Sequence, residues 1–303
     1  METSTQIQGT LFSQALHSFN ISRQAKNLSP GTITNYTRNL AVFSCFLRQE
    51  NIQTVEQIKP ESIRLFFLHM REMGHNDGGI HCGYRVVKTF LNWFEREYDP
   101  AGWKNPIRKI DPPIWPKKIL PPVSIEVVKR LLATCNSNHF FDLRDQAILL
   151  VLLDTGVRAS ELEAMDLADL DLASGVILIY HGKGRKFRPA FFEDDSRKAL
   201  RRYLKLRKGP CPALWYNKDG GRLSTDGVRG MIRRRAALAR VGRPQLHAFR
   251  RAFTLGMLRK KVSMVSIQRM LGHTDLTLIE RYADQNWDDL REDHHSGSLI
   301  DDL

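Results

Sequence analysis

Apolar side chains return every three or four positions through the first hundred residues, a period typical of amphipathic helices. The clearest set starts at Ser29-Pro30, which supplies an N-cap and a helix-start proline. Its apolar members are Ile33, Tyr36, Leu40, Phe43 and Leu47. Similar patterns predict helices near Leu11–Phe19, at Pro60–Arg71 and around Tyr84–Glu97. We therefore expect residues 5–100 to form an all-helical domain.

Six prolines interrupt this pattern before residue 123. They are Pro106, Pro112, Pro113, Pro116, Pro121 and Pro122. Because proline fixes φ and has no amide hydrogen to donate, we expect residues 101–122 to form an extended linker between two domains. Ser124 can then cap the first helix of the second domain.

The second domain, residues 123–290, combines helical patterns with one pair of strands. An apolar helix is predicted over Asp145–Leu153, and the chain after residue 196 is mainly helical in pattern. Val176–Tyr180 and Phe187–Phe191 are predicted to be strands, since β-branched residues flank a glycine-containing hairpin at residues 181–186. The predicted fold is therefore mainly α, with an all-helical N-terminal domain and an α+β C-terminal domain that holds a small antiparallel sheet.

Charge adds a candidate partner to this picture. The chain of 303 residues has a net charge of +13, and residues 113–282 contain 32 Lys or Arg against 16 Asp or Glu. Such a basic region favours a polyanion, and nucleic acid is the leading candidate. On charge alone, the alternative that Lys and Arg only solubilise the surface stays open. The last segment, residues 291–303, is predicted to be an acidic C-terminal tail.

Several other classes of protein are disfavoured. The first nine residues are polar and lack the basic and apolar segments of a secretory signal. The longest apolar run, Ala147–Leu153, is far shorter than the roughly 20 residues of a membrane-spanning helix. Four widely separated cysteines without a CxxC pair predict neither a zinc site nor a disulfide framework. We therefore expect a cytoplasmic protein that has no membrane partner.

Candidate chemistry begins at the turn Thr155-Gly156, which places Arg158 near a helix start with its guanidinium free to project. Arginine suits bidentate contact with phosphate. Glu161, one helical turn later, can hold that guanidinium in place or form an ordinary i,i+3 ion pair. Lys183 lies between two glycines at the tip of the predicted hairpin, where the backbone can approach a ligand closely.

Further candidates follow toward the C-terminus. His247 and Arg250 are three residues apart and so share one face of a helix, while Phe249 turns toward the core. His273 follows a Leu-Gly pair, and Tyr282 lies nine residues after it. Cleavage of a phosphodiester without a metal needs cations at the nonbridging oxygens, a nucleophile and an acid for the leaving alkoxide. Each type of group is present in this set.

The order of these residues along the chain resembles that of the tyrosine recombinases, the phage-integrase-like enzymes. The matching motifs are Thr155-Gly156-Val157-Arg158-Ala159-Ser160-Glu161-Leu162, Gly182-Lys183-Gly184, His247-x-x-Arg250, and Leu271-Gly272-His273 with Tyr282. Leu28-Ser29-Pro30-Gly31-Thr32 with Tyr36 and Leu40 resembles the family's SAM-like core-binding domain. The resemblance implies an enzyme that cleaves and rejoins DNA through a 3′-phosphotyrosyl intermediate, for DNA integration, excision, transposition or resolution.

The resemblance also implies a role for each catalytic candidate. Arg158 and Arg250 would hold the scissile phosphate with help from His273, and Tyr282 would attack phosphorus. Lys183 would protonate the leaving oxygen.

His247 would assist proton transfer at the tyrosine, with Glu161 as catalytic support. No cofactor and no metal ion are expected. The expected partners are double-stranded DNA, further copies of the chain that form a tetramer across two sites, and accessory DNA-bending or directionality proteins, all at the nucleoid.

Polar and basic residues outside these motifs are candidates for DNA contact. They are Thr32, Asn35, Arg38, Lys117, Lys118, Arg185, Lys186, Arg233, Arg234 and Arg251. Arg233 and Arg234 belong to a basic run that continues into Arg235.

Two alternative functions fit the same residue types. A type IB topoisomerase-like enzyme would relax supercoils without exchanging strands, although the integrase-like N-terminal half argues against it. A non-catalytic DNA-binding regulator would keep the fold without the reaction, although all six catalytic positions carry competent residues.

Overall fold

The computed structural model describes residues 9–115, 120–180 and 187–272 of the chain. The chain divides into two compact units, Met1–Lys118 and Ile119–Leu303. The mainly helical fold with a small antiparallel sheet is confirmed. In the three described ranges, no helix is both long enough and apolar enough to cross a bilayer.

Four α-helices build the described part of the first unit. They are α1 (Phe12–Ala25), α2 (Pro30–Gln49), α3 (Pro60–Glu72) and α4 (Asp77–Tyr98). Their apolar faces meet in a core rich in aromatic rings, in which Phe19, Phe43, Phe66, Phe90 and Phe94 are fully buried. Edge-on and tilted ring contacts link neighbouring helices, such as Phe19 with Phe90 at 5.5 Å between centroids. The helical period in the sequence therefore marks the face that this core buries.

Polar caps decide where these helices begin. The Ser29 hydroxyl accepts a hydrogen bond from the Thr32 amide at 3.3 Å, which confirms the predicted start of α2. Helix α4 begins seven residues before the predicted Tyr84, because Asn76 caps it by accepting from the Gly79 amide at 2.9 Å. The two glycines in its first turn lower helix propensity and hide this start in the sequence.

The expectation of an extended connector is wrong for the first part of residues 101–122. Pro106–Lys109 form a 3₁₀ turn, capped by the Asn105 side chain, which accepts from the Ile107 amide at 3.2 Å. Ile107 and Ile110 are buried in the core of the first unit. Proline at the first position of a helical turn loses no hydrogen bond, so a high proline content did not prevent this stretch from packing.

Seven α-helices and one sheet build the described part of the second unit. The helices are α5 (Ile125–Ala133), α6 (Phe140–Thr155), α7 (Ala159–Ala164), α8 (Asp194–Leu206), α9 (Thr225–Ala239), α10 (Leu246–Arg259) and α11 (Met264–Leu271). The strands are β1 (Leu170–Asp171), β2 (Val176–Ile179) and β3 (Arg188–Phe191). They pair antiparallel in the order β1-β2-β3, with Ile177 opposite Ala190 and Ile179 opposite Arg188. The two predicted strands are confirmed, and β1 is an addition.

Helix α6 is the centre of the second unit. It packs against α8 on one side and α10 on another, and its residues Ala147, Ile148, Leu149, Val151 and Leu152 are all buried. A helix that is apolar around most of its circumference is expected to lie inside a domain. Its C-terminal end therefore has a fixed position, and that end leads directly into the segment with Arg158.

A buried cluster of charges joins α5, α6 and α9. Arg235 on α9 pairs with Asp142 at 2.7 Å and with Asp145 at 2.8 Å, and its Nη1 donates to the Thr134 carbonyl at 2.7 Å. Arg144 pairs with Asp145 at 2.7 Å. Two guanidinium groups thus balance two carboxylates. Arg235 therefore belongs to the core, although it continues the basic run of Arg233 and Arg234 in the sequence.

Substitution of Arg235 by Met should lower the free energy of unfolding by about 3 kcal/mol, because Asp142 and Asp145 each lose a buried ion pair. The measurement is urea unfolding followed by circular dichroism. The matched control is Arg233→Met on the same helix, where the side chain is exposed and the expected change is within about 0.5 kcal/mol. Equal effects of the two substitutions would contradict the assignment of Arg235 to the core.

Candidate active site

The turn after α6 projects Arg158 from the core. Gly156 ends the helix in the left-handed region with φ of 59°, where glycine is favoured. A Cβ at this position would lie 2.6 Å from Cδ1 of Phe253 and 3.0 Å from Cδ2 of Leu271. Only glycine therefore lets α10 and α11 approach the turn so closely. Arg158 follows as the N-cap residue of α7, with 37% of its side chain exposed.

Glu161 fixes both the backbone and the side chain of Arg158. Its Oε1 accepts from Arg158 Nη1 at 2.7 Å, and its Oε2 accepts from the Arg158 amide at 2.8 Å. Oε2 also accepts from Nη2 of Arg188, at 2.8 Å. Burial opposes ionisation of this carboxyl, but the charges and hydrogen bonds of Arg188 and Arg158 outweigh it and hold the Glu161 pKa below its ordinary value. The i,i+3 pair is thus one part of a larger buried network.

Arg250 reaches the same place from α10. Its side chain is almost fully buried, and its Nη1 donates to the Gly156 carbonyl at 2.6 Å. Its Nη2 donates to the Leu271 carbonyl at 2.7 Å, which Arg158 Nη1 also approaches at 3.5 Å. The Nε of Arg250 is buried and has no hydrogen-bond partner among the described residues. Two guanidinium groups from distant parts of the sequence therefore meet at one carbonyl oxygen.

Among the described residues, positive charge exceeds negative charge at this point. Arg158 and Arg188 both pair with the carboxylate of Glu161, and Arg250 meets Arg158 at the Leu271 carbonyl. Burial and the repulsion of Arg158 lower the pKa of Arg250 to about 9, which still leaves it charged at neutral pH. A bound anion would relieve this repulsion. The arrangement is therefore suited to holding a phosphate group.

His247 lies at the start of α10, one turn before Arg250. Its side chain is exposed and lines a cavity of about 380 Å³ together with Arg229, Arg243 and other residues. Partial enclosure of the ring, and then the positive charge of Arg250, lower the pKa of His247 below its ordinary 6.5. The ring is therefore neutral at pH 7 and able to accept a proton.

The structure brings four predicted site residues together and leaves three undescribed. Arg158, Glu161, His247 and Arg250 belong to one region of the second unit, and Phe249 is fully buried as expected. The remaining catalytic candidates lie outside the described residues: Lys183, His273 and Tyr282.

The predicted DNA-contact residues divide in the same way. Asn35 and Arg38 are exposed on α2 and Thr32 is half-buried beside them, while Arg233 and Arg234 are exposed on α9. Four more lie outside the described residues: Lys117, Lys118, Arg185 and Lys186.

Arg251 is buried, whereas a side chain that contacts DNA is expected to be exposed. Only 6% of the residue is exposed, and its Nε donates to the Pro121 carbonyl at 2.9 Å. This contact ties α10 to the segment before α5. The environment of Arg251 favours a structural role, and its contact with DNA stays a prediction.

Arg188 is the site residue that sequence reasoning missed. The sequence pattern includes it in the predicted strand Phe187–Phe191 and indicates no function for it. One signal was available, because side chains alternate along a strand and Arg188 must share a face with Ala190, which is buried. A charged residue on an inward face needs a partner, and here the partner is Glu161.

Potential metal ligands do not cluster in the described part of the chain. Across residues 9–115, 120–180 and 187–272, no three His, Cys, Asp or Glu side chains lie close enough together to hold a metal ion. The acidic side chain that contacts the arginines, Glu161, has both of its oxygens engaged by them.

Comparison with known sequences gives a family for both units. The profile described as "Phage integrase family" matches residues 123–288, and that described as "Phage integrase, N-terminal SAM-like domain" matches residues 20–97. The tyrosine recombinase XerC of Oceanobacillus iheyensis is 29% identical over 278 residues, which cover 88% of this chain and 90% of the relative. The tyrosine recombinase XerD of Staphylococcus saprophyticus is 28% identical over 265 residues, which cover 85% and 89%.

Solved structures share the fold. The XerA recombinase is 25% identical with a TM-score of 0.52, covering 94% of this chain and 98% of that one. The Tn1549 transposon integrase in complex with transposon right end DNA is 19% identical, with a TM-score of 0.74 and coverage of 95% and 100%. A lambda integrase tetramer bound to a Holliday junction is 13% identical, with a TM-score of 0.74 and coverage of 93% and 80%.

Substitution of Glu161 by Gln should lower the free energy of unfolding at pH 7 by about 3 kcal/mol, because it removes the carboxylate from a buried ion pair. The folded-state pKa of Glu161 is lowered, so the stability it contributes is present above the ordinary carboxyl pKa and is lost as the pH falls through the folded value. The difference in free energy of unfolding between wild type and variant should therefore disappear as the pH falls below 4.5. Urea unfolding over a pH series measures it.

The control for this experiment lies on the same helix. Glu163 accepts hydrogen bonds from the amide and hydroxyl of Thr225, at 2.8 and 2.6 Å, and a glutamine can accept both. Glu163→Gln should therefore change the free energy of unfolding little. If the difference in free energy of unfolding between wild type and Glu161→Gln stays constant in acid, the charge of Glu161 is not what stabilises the site.

Proposed function

The chain belongs to the phage integrase family, and from this premise we propose that it is a site-specific tyrosine recombinase that cleaves and rejoins double-stranded DNA. The observation that carries the proposal is the meeting of Arg158 and Arg250 at the Leu271 carbonyl, where the described side chains carry more positive than negative charge. A phosphodiester is the anion that this charge would hold.

The two arginines have unequal access to such a phosphate. Arg250 is buried and anchored by two carbonyl oxygens, whereas more than a third of the Arg158 side chain, 37%, is open to solvent. Arg158 would therefore make the first contact with a nonbridging oxygen, and Arg250 would supply fixed positive charge behind it. Donors held rigidly at the place where charge develops lower the barrier most effectively, since they need no reorganisation.

Cleavage then proceeds as an exchange of one phosphate ester for another. The Tyr282 oxygen attacks phosphorus and its proton passes to His247, while the bond from phosphorus to the 5′ oxygen breaks. Lys183 gives a proton to that 5′ oxygen, and His273 donates a hydrogen bond to a nonbridging oxygen. The products are a 3′-phosphotyrosyl link and a free 5′-hydroxyl. Attack by a 5′-hydroxyl of a second strand reverses the steps, so rejoining needs no nucleotide cofactor.

These roles draw on two kinds of support. Arg158, Glu161, Arg250 and His247 are assigned from contacts and charges in the second unit, together with their positions in the family motifs. The roles of Lys183, His273 and Tyr282 come from those motifs alone.

Assembly follows from the reaction. Exchange between two duplexes requires two sites, and the lambda integrase in the solved complex is a tetramer on a Holliday junction. We propose four copies of this chain across two DNA sites, with accessory DNA-bending or directionality proteins as further partners. Because the substrate is DNA, the proposed location is the nucleoid within the cytoplasm.

Substitution of Tyr282 by Phe should abolish covalent attachment to DNA while leaving DNA affinity within about threefold of wild type, because only the attacking oxygen is lost. The measurement uses a nicked suicide duplex whose sequence is taken from DNA that flanks the gene. After cleavage, the short fragment with the free 5′-hydroxyl diffuses away, so religation cannot occur and the protein stays attached to the 3′-phosphate.

The control for this experiment is Tyr98→Phe, in the first unit, which should form the adduct at the wild-type rate. An adduct that persists in Tyr282→Phe would show that another residue attacks. Specific binding by wild type without any adduct would favour a non-catalytic DNA-binding regulator.

The pH dependence of cleavage should report on His247. Because its pKa is lowered from 6.5, the neutral ring predominates at pH 7, and kcat/KM should fall only below pH 6.5, where the free protein takes up the proton. His247→Gln should cleave about a hundredfold more slowly and lose this acid limb. The exposed His17 on α1 gives the control, His17→Gln, with an unchanged profile. An acid limb that survives in His247→Gln would remove His247 from the proton path.

A further inference from the structure

Arg188 lies at the first position of β3, with only 11% of its side chain exposed. Its position in the sequence is five residues after Lys183. It is opposite Ile179 in the sheet and therefore stands at the described base of the hairpin that contains Lys183. A guanidinium in this position is buried at a cost, and that cost is offset only by well-formed contacts.

The first of these contacts orients Glu161. The carboxylate divides its oxygens between two arginines, since Oε1 accepts from Arg158 and Oε2 accepts from Arg188 at 2.8 Å. With one oxygen held by Arg188, rotation of the carboxylate is restricted, and the other oxygen stays directed at the Arg158 guanidinium. Arg188 therefore acts on Arg158 through Glu161.

The second contact is with the end of α11. Nη1 of Arg188 donates to the Met270 carbonyl, and the Arg188 stem runs against Gly272. A Cβ at Gly272 would lie 2.8 Å from Cδ and 2.9 Å from Nε of Arg188, so this glycine leaves the room that the arginine occupies. The next residue in the chain is His273.

Together these contacts make Arg188 a link between three segments. It joins the hairpin strand, the carboxylate that holds Arg158, and the turn at which Arg158 and Arg250 meet. We propose that Arg188 is a positioning residue for DNA cleavage, which sets the orientation of the Arg158 guanidinium at the scissile phosphate without touching the phosphate itself. This inference rests on the proposed function.

A merely structural arginine would behave differently in one respect. Loss of such a residue would lower stability, and it would lower cleavage equally for any scissile group. Loss of a residue that positions Arg158 should matter most when the phosphate carries charge, because the role of Arg158 is to stabilise that charge. A methylphosphonate, in which a methyl group replaces one nonbridging oxygen, is neutral and separates the two cases.

The experiment compares single-turnover cleavage of two suicide duplexes, one with a phosphodiester and one with a methylphosphonate at the scissile position. At saturating protein, Arg188→Met should cleave the phosphodiester about a hundredfold more slowly than wild type, the effect of a small misplacement at a reacting centre. DNA affinity should stay within about threefold. On the methylphosphonate, the deficit should shrink to less than about tenfold, since less charge needs stabilisation.

Two further variants complete the design. Arg188→Lys keeps the positive charge and should recover part of the cleavage rate that Arg188→Met loses. If Arg188→Met unfolds near the assay temperature, Arg188→Lys takes its place in the comparison of the two duplexes. Arg207→Met is the matched control, because Arg207 also donates to carbonyl oxygens, those of Cys211 and Ala213, and contacts none of the catalytic candidates that the structure describes. It should cleave both duplexes at wild-type rates.

The outcomes separate this inference from the proposed function. Equal deficits on the two duplexes, or no deficit at all, would overturn the positioning role of Arg188. Failure of wild type to form any adduct would count against the proposed function instead.

Discussion

Three successive carbonyl groups at the end of α11 organise the site. The Met270 carbonyl accepts from Arg188, the Leu271 carbonyl from Arg250, and the Gly272 carbonyl from Arg158 at 3.4 Å. Helix C-termini leave carbonyl groups without partners and carry partial negative charge, so they attract cations. Arginines from α10, β3 and the turn before α7 are therefore held together by one short stretch of backbone.

The rest of the second unit keeps that stretch in place. Helix α6 is buried on most sides, and α10 packs against it, so the turn at Gly156 and the side chain of Arg250 start from fixed positions. A smaller cluster of Phe253, Ile267 and Leu271 joins α10 to α11. Apolar packing thus sets the backbone positions, and hydrogen bonds to carbonyl oxygens set the directions of the guanidinium groups.

Sequence reasoning succeeded where a local rule decides the outcome. Periodicity and the cap at Ser29 located α2, because spacing along the chain carries that information. Motif order selected Arg158 and Arg250, which meet at the Leu271 carbonyl, and their catalytic roles stay predictions. Sequence reasoning failed where a distant contact decides: the fold-back of residues 103–110 depends on burial of Ile107 and Ile110 against α3 and α4. Arg188 was missed for the same reason, since its partners lie 27 and 82 residues away.

The surplus of positive charge among the described residues around Glu161 has a consequence for the stability of the protein. A ligand that binds only the folded state raises the free energy of unfolding by an amount that grows with the logarithm of the ligand concentration above Kd, and DNA phosphate would here also remove repulsion between arginines. The free protein is therefore less stable than the DNA-bound protein, so it unfolds more often and is cleaved more readily by proteases. Binding to DNA should therefore slow proteolysis of the chain.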